Sequence, residues 1–190
     1  MSKHAAIESD EIVAERTAMA AELVERLTRW RDDFPTPGVR FADLTPVFAD
    51  PEGFRAVIDC LAACAPDADL VAGVDARGFL LGAGVAATLG TGVLAVRKAG
   101  KLPPPVLKRE YSLEYGTAAL EIPADGVDLR GRRVLLLDDV LATGGTLAAA
   151  ADLFLSAGAE IVSAAVVLEL SFLEGRSRQG EYPLASIVRI

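Results

Sequence analysis

The stretch RRVLLLDDVLATGGTLAAAA, residues 132–151, constrains the fold most. Val134 to Leu137 form an unbroken apolar run, too short for a helix and without alternating polar positions. That pattern predicts a strand buried on both faces, the kind found inside parallel sheets. Thr143-Gly144-Gly145-Thr146 then makes a turn, and the alanine-rich segment after it predicts a helix. A buried strand passing through a tight turn into a helix is half of a parallel βαβ unit.

The rest of the chain repeats the alternation. Residues 9–31 predict a helix capped by Ser9, with Ile12, Met19, Leu23 and Leu27 as its apolar stripe. FPTPGVRFADLTPVFADPEGF, with prolines at 35, 37, 46 and 51, predicts an irregular but ordered loop. Its Phe34, Val39, Phe41, Leu44 and Phe48 are too apolar to stay in water. Asp50-Pro51 reads as an N-cap and first helical position, with a helix to about Ala65. DLVAGV, TGVLAVRK, AALEI, EIVSAAVVLEL and ASIVRI predict further strands, and GFLLGAGVAATLG a small-residue helix. PPPVLKREYSLEYG opens on three prolines and predicts an irregular segment of the kind that forms lids. FLEGRSRQG predicts a short helix or turn. The whole is expected to be an α/β fold around a mostly parallel sheet, in one domain over 1–190. The N-terminal helix and a hood occupy about 9–48, and the core about 50–190.

The leucines put Asp138 and Asp139 at the carboxyl end of their strand, the edge where open α/β sheets bind ligands. At the turn that follows, glycines allow close backbone approach, and free helix N–H groups with the helix dipole favour an anion. The lysine of a Walker A loop is absent. Two adjacent carboxylates repel each other, so a simple helix cap explains them poorly. A ligand with an anionic end and a diol explains both features. Its hydroxyls would bind the acids and its phosphate the turn, as in a ribose 5-phosphate. Asp75-Ala76-Arg77-Gly78 ends another strand, and its backbone N–H groups with Arg77 suit a second anion. GAGVAA imitates a dinucleotide fingerprint but lies within a helix, so it reads as helix packing.

Composition excludes several chemistries. The only histidine is His4, which argues against a Ser–His–Asp triad, a histidine general base or a histidine-ligated metal. Cys60 and Cys64, four apart on a predicted helix, read as small buried residues. No apolar run is long enough to span a membrane, and the polar, acidic N-terminus does not read as a signal peptide. A cytoplasmic protein is expected. The net charge of −8 argues against nucleic-acid binding. Residues 76–109 nevertheless lack acids and carry Arg77, Arg97, Lys98, Lys101, Lys108 and Arg109. A cationic segment in an acidic chain suits a small polyanion.

VLLLDDVLATGGT resembles the 5-phosphoribosyl-1-pyrophosphate (PRPP) signature of the type I phosphoribosyltransferase family. FPTPGVRFADLTPVF, GVDARGFLLG, VRKAGKLPPP, YSLEYGTAALEI and LEL at 168–170 follow the order seen in its adenine branch, so the likeness covers roughly 25–190. The resemblance implies transfer of the 5-phosphoribosyl group from PRPP to adenine, giving AMP and pyrophosphate, with Mg²⁺ carried mainly by the substrate rather than by a protein metal site. It implies a small hood, a flexible lid and a homodimer to which the partner contributes Lys101. PRPP and AMP would be bound by Asp138, Asp139, Ala142, Thr143, Gly144, Gly145, Thr146, Asp75, Ala76, Arg77, Arg97, Lys98, Lys101 and Tyr115. Catalysis would fall to Arg77, Lys101 and Glu114, the last in proton transfer. Val39, Arg40, Phe41 and Leu170 would form the adenine pocket. The Asp75–Ala76 peptide would be cis.

Two departures from the family pattern stand out. Ala76 replaces the usual serine, which a backbone role survives. Phe41-Ala42-Asp43 lacks the basic residue usual before the aspartate, while Arg40 lies two positions earlier. The alternatives are another 6-substituted purine as acceptor, or a non-catalytic PRPP-binding regulator on the same fold.

Overall fold

The computed structural model describes residues 10–113 and 116–190. Its centre is a seven-stranded sheet in the order β5-β6-β4-β3-β7-β8-β9. These strands are β3 (Leu70–Val74), β4 (Gly92–Lys98), β5 (Val106–Leu113), β6 (Gly116–Pro123), β7 (Arg133–Leu141), β8 (Glu160–Glu169) and β9 (Leu184–Arg189). The five strands from β4 to β9 in that order run parallel. β6 lies antiparallel to both β4 and β5. Strands β1 (Arg29–Arg31) and β2 (Phe41–Asp43) pair separately as a small antiparallel hairpin.

The apolar run behaves as its pattern predicts. Leu135 and Leu137 enter one hydrophobic cluster, with helices α3 (Pro51–Ala63) and α4 (Gly78–Leu89). Val134 and Leu136 enter the opposite cluster, with Phe154 of α5 (Gly145–Ser156). All four are fully buried, each worth about 1.5–3 kcal/mol of transfer free energy. Asp50 caps α3 as expected, its carboxylate accepting from Gly53 N at 2.7 Å.

Three segments differ from expectation. Helix α1 (Asp10–Leu27) ends early, because residues 29–31 leave it to pair with 41–43. Its buried face uses Ala20, Leu23 and Val24, so Met19 points outward and is 54% exposed. Ser9, the expected cap, lies outside the described residues. The loop at 34–54 contains β2 and a short helix, α2 (Thr45–Ala49). The segment expected as an irregular lid is instead β5, paired along its whole length with β6. The three prolines precede the strand rather than interrupt it, so every backbone donor the ladder needs is present.

β3 is followed by α4 and then β4 on one side of it, whereas β7 lies on its other side. The chain therefore reverses direction of travel between β3 and β7, and a crevice opens there at the carboxyl edge.

Candidate active site

Register places three strand ends side by side. Gly73 pairs with Leu137, and Val74 with Val96. The residues just beyond are Asp75 to Arg77, Asp138 with Asp139, and Arg97 with Lys98. Glycines tighten this edge. A Cβ on Gly73 would fall on the Gly78 carbonyl oxygen, and one on Gly78 would lie 2.9 Å from Leu137 O and 3.6 Å from Asp138 Cα. Helix α4 therefore starts directly against the sheet, with Arg77 beside the acid pair. Gly82 and Gly84 lie close to Val93 and Ile58, which bears out the packing reading of GAGVAA.

Arg77 is the hub. Its Nε lies 2.7 Å from Asp139 Oδ2, its Nη1 donates to Ala42 O at 3.4 Å, and its guanidinium covers the Phe41 ring at 5.3 Å. The Nε contact is a charge pair without an aligned N–H, so buried Asp139 Oδ2 has no hydrogen-bond donor among the described residues. Asp138 Oδ1 accepts from Asp139 N at 2.8 Å. Asp138 keeps some contact with solvent, yet burial, and then the adjacent Asp139 charge, push its carboxyl well above the usual range. Next to them, Asp75 Oδ2 accepts from Arg97 Nε at 3.2 Å and Lys98 N at 3.3 Å. The Asp75–Ala76 peptide is cis, as the resemblance implied.

Beyond β7, Ala142 and Thr143 lead to Gly144 at φ 78, and α5 begins at Gly145. Among the described residues no side chain caps this helix, so its first N–H groups have no side-chain acceptor, as an anion site requires. Thr143 and Thr146 are half-buried beside them.

The hood supplies an aromatic wall. Phe34 and Phe41 meet edge to face, with centroids 5.1 Å apart. A cavity of about 750 Å³ lies against them, lined also by Arg31, Asp32, Asp33, Asp43, Thr45 and Arg77. Asp43 is held below the usual carboxylate range, first by hydrogen bonds from the Thr45 side chain and backbone, then by the Arg77 charge.

The structure gathers Asp75, Ala76, Arg77, Arg97, Asp138, Asp139, Phe41 and the 142–146 turn at one edge. Lys98 and Lys101 are exposed on and just after the end of β4. Val39 is half-buried, its carbonyl accepting from Phe34 N at 3.1 Å. Arg40 does not line the cavity. It stacks on Trp30 at 4.6 Å and faces Asp32 at 3.6 Å. Strand alternation explains this, because Arg40 and Ala42 share the face opposite Phe41, and Ala42 is packed into the core. Leu170 is also buried in that core and absent from the cavity lining. Glu114 and Tyr115 lie outside the described residues.

Sequence reasoning missed the polar lining from Arg31, Asp33, Asp43 and Thr45. The signal available was the charged run R-D-D just before the hood loop. It also missed Glu121, a buried carboxylate that accepts from Gly100 N at 2.9 Å and anchors the basic turn.

A seven-stranded, mostly parallel sheet with an acid pair and an anion turn at its switch point defines a class. The family described as phosphoribosyl transferase domain matches residues 46–188, and the chain belongs to that family. Its fold is of type I. Within it, the chain is similar to adenine phosphoribosyltransferases. The one from Nocardia farcinica is 84% identical over 190 residues, covering all of both chains. The crystal structure from Rhodothermus marinus matches with TM-score 0.85 and 40% identity, over 91% of this chain and 99% of that one. The Saccharomyces cerevisiae enzyme, complexed with an imino-altritol bisphosphate and adenine, matches with TM-score 0.83 and 36% identity, over 90% and 99%.

Proposed function

We infer that this protein is a purine-salvage transferase that moves the 5-phosphoribosyl group from PRPP to adenine, releasing pyrophosphate and AMP. The observation that carries the reading is the meeting of Asp138-Asp139, the uncapped α5 turn and the Asp75–Arg77 loop at one sheet edge. In this reading the bond from the anomeric carbon to pyrophosphate breaks as the bond to the adenine nitrogen forms. Positive charge develops on the sugar ring, and negative charge on the leaving group. Asp138 and Asp139 accept hydrogen bonds from the two ribose hydroxyls. Residues 142–146 hold the 5′-phosphate. Arg77, Arg97, Lys98 and Lys101 stabilise the departing pyrophosphate. Arg77, bound to both Asp139 and the hood carbonyl of Ala42, ties the sugar side to the base side. Adenine stacks on Phe41, with Val39 and Leu170 supporting the hood. Glu114, by family resemblance, handles the base proton, and Tyr115 belongs with it.

Among the described residues no three Asp, Glu, His or Cys side chains converge as a ligand set. Asp139 Oδ2 nevertheless offers an acceptor without a donor. By family resemblance Mg²⁺ would come mainly with the substrate, and the chemistry of Asp138 and Asp139 suits the ribose hydroxyls beside it. When bound it offsets leaving-group charge.

The partner is a second copy of the chain. Leu80 of α4 is 54% exposed and Val93 of β4 is 48% exposed, large apolar side chains of the kind a homodimer would cover. One domain spans the chain, and its place is the cytoplasm. No helix among the described residues is long and apolar enough to cross a membrane.

The deciding experiment supplies PRPP, Mg²⁺ and each of adenine, hypoxanthine, guanine and xanthine, and follows nucleotide formation. AMP alone supports the reading. IMP or GMP keeps the chemistry and overturns the base. PRPP binding without any nucleotide makes the chain a regulator.

A further inference from the structure

The phosphate turn has a neighbour that none of the transfer chemistry uses. Gly175 opens a short 3₁₀ turn, Gly175–Arg178, and is buried. A Cβ on Gly175 would fall on Ala142 O and lie 3.0 Å from Leu141 Cγ and 3.1 Å from Gly144 N. A Cβ on Gly144 would in turn fall on Gly175 O. Two backbones therefore touch with no side chain between them. Wherever Gly175 goes, the turn at 142–144 must follow.

What holds Gly175 is the residue after it. Arg176 donates from Nε to both oxygens of Glu169, at 2.8 and 2.9 Å, and from Nη2 to Glu169 Oε2 at 2.7 Å. It also donates from Nη2 to Ser186 Oγ and from Nη1 to Leu184 O, both at 2.8 Å. Ser186 Oγ closes the network by donating to Glu169 Oε2. One guanidinium thus ties the 3₁₀ turn to the end of β8 and the first half of β9. Among the described residues, Arg176 makes the side-chain hydrogen bonds that join this turn to the sheet. Glu169 is paired in register with Leu141, the residue that leads into the phosphate turn, and Leu170 N donates to Leu141 O at 2.9 Å. The residue before Gly175 adds a demand. Glu174 has φ 52, a left-handed conformation unfavourable for a side chain other than glycine, so an anchor is needed nearby.

We propose that Arg176 is a positioning residue for PRPP: through Glu169 and Ser186 it sets the Gly175 backbone against Ala142 and Gly144, and so fixes the turn that takes the 5-phosphate. This rests on the reading that residues 142–146 bind that phosphate. Arg176 itself touches no substrate in this scheme. Lysine cannot replace it, because one ammonium cannot reproduce the fork that reaches two carboxylate oxygens, a hydroxyl and a carbonyl together.

The test measures ribose 5-phosphate binding by calorimetry and KM for PRPP and adenine separately. Thr146→Ala checks the underlying reading first. If it leaves ribose 5-phosphate binding unchanged, the phosphate turn is misassigned and the proposal falls with it. With that reading intact, Arg176→Lys is expected to weaken ribose 5-phosphate and raise KM for PRPP about tenfold, on the order of one charge-assisted hydrogen bond. KM for adenine should stay within about twofold, the scale of a contact left intact. Arg189→Ala removes the other cation on Glu169, 3.2 Å away, and does not touch the 3₁₀ turn. It should leave both constants near wild type. Ser186→Ala is the milder variant if the lysine variant folds poorly, with a smaller shift in the same direction. Unchanged PRPP constants in the folded Arg176 and Ser186 variants would overturn the proposal. So would equal losses for PRPP and adenine that track the fall in melting temperature, since that is what a merely structural arginine would produce.

Discussion

Two arginine–carboxylate pairs stand at neighbouring strand ends and are built to opposite rules. At the end of β8, both carboxylate oxygens of Glu169 accept from Arg176, with Ser186 adding a second hydrogen-bond partner and Arg189 a second charge. Toward the end of β7, Asp139 has, among the described residues, one close cation whose N–H is not aligned and a buried oxygen with no donor. Burial works against the Glu169 charge, but the hydrogen bonds from Arg176 and Ser186, and then the charges of Arg176 and Arg189, outweigh it and hold its carboxyl low. Asp138 goes the other way, since burial and the Asp139 charge act together on it. A satisfied network holds a fold, whereas an unsatisfied acid pair suits a ligand that brings its own donors.

The sharpest way to break this contrast is Arg77→Ala. Losing a stabilising donor at a reacting centre commonly costs about 2.7–4 kcal/mol, so turnover should fall about a hundredfold to a thousandfold in a steady-state assay. Melting should fall as well, because the substitution strands the buried Asp139 carboxylate, so turnover is read well below the unfolding transition. Near-normal turnover would remove Arg77 from the reaction. Glu169→Ala should act on stability and on KM for PRPP rather than on kcat. It strands Arg176, and breaking a buried pair costs about 3–5 kcal/mol; the lower end is expected because the Arg176 side chain is 33% exposed and can reach water. Urea unfolding would measure it, and an unchanged midpoint would make the clamp dispensable.

Asp138→Asn sharpens the contrast through pH. The folded carboxyl titrates above its unfolded value, so its stability contribution is complete below about pH 4 and is lost as pH rises through the raised value. Removing the charge should therefore leave melting at pH 7 equal to wild type or higher. Activity has the opposite sign, because accepting ribose hydroxyls requires the ionised form. The wild-type kcat/KM for PRPP should rise along an acid limb above the ordinary carboxylate range, and the limb should be absent in the variant. An identical limb in both proteins would assign it to another group. The smallest effect is expected for Arg189→Ala. That side chain is 57% exposed, and such pairs are worth about 0–1 kcal/mol, less in high salt. A larger loss in urea unfolding would mean that Glu169 depends on both arginines.

Much of the framework was legible from local patterns. Val134–Leu137 could only be a strand covered on both sides, and Asp50-Pro51 could only open a helix. Asp138, Asp139 and Thr143–Thr146 were readable as a site because the acids and the turn are contiguous. Arg40 turns to Trp30 and away from the hood cavity, a choice that proximity in sequence does not reveal. Residues 106–113 were misread because a β ladder is earned from a partner, and β6 is a separate segment. Glu169 and Arg176, seven apart, carried no pattern to mark them.

The sequence alone determined the layered α/β fold, the two-sided burial of its central strands and the composition of the anion turn, since each depends on residues within a few positions of one another. Only the tertiary structure decided which cation meets which carboxylate, that Arg40 turns to Trp30, and that Gly144 and Gly175 touch. Those outcomes depend on register between separate strands and on the close approach of distant backbones, which no local pattern encodes.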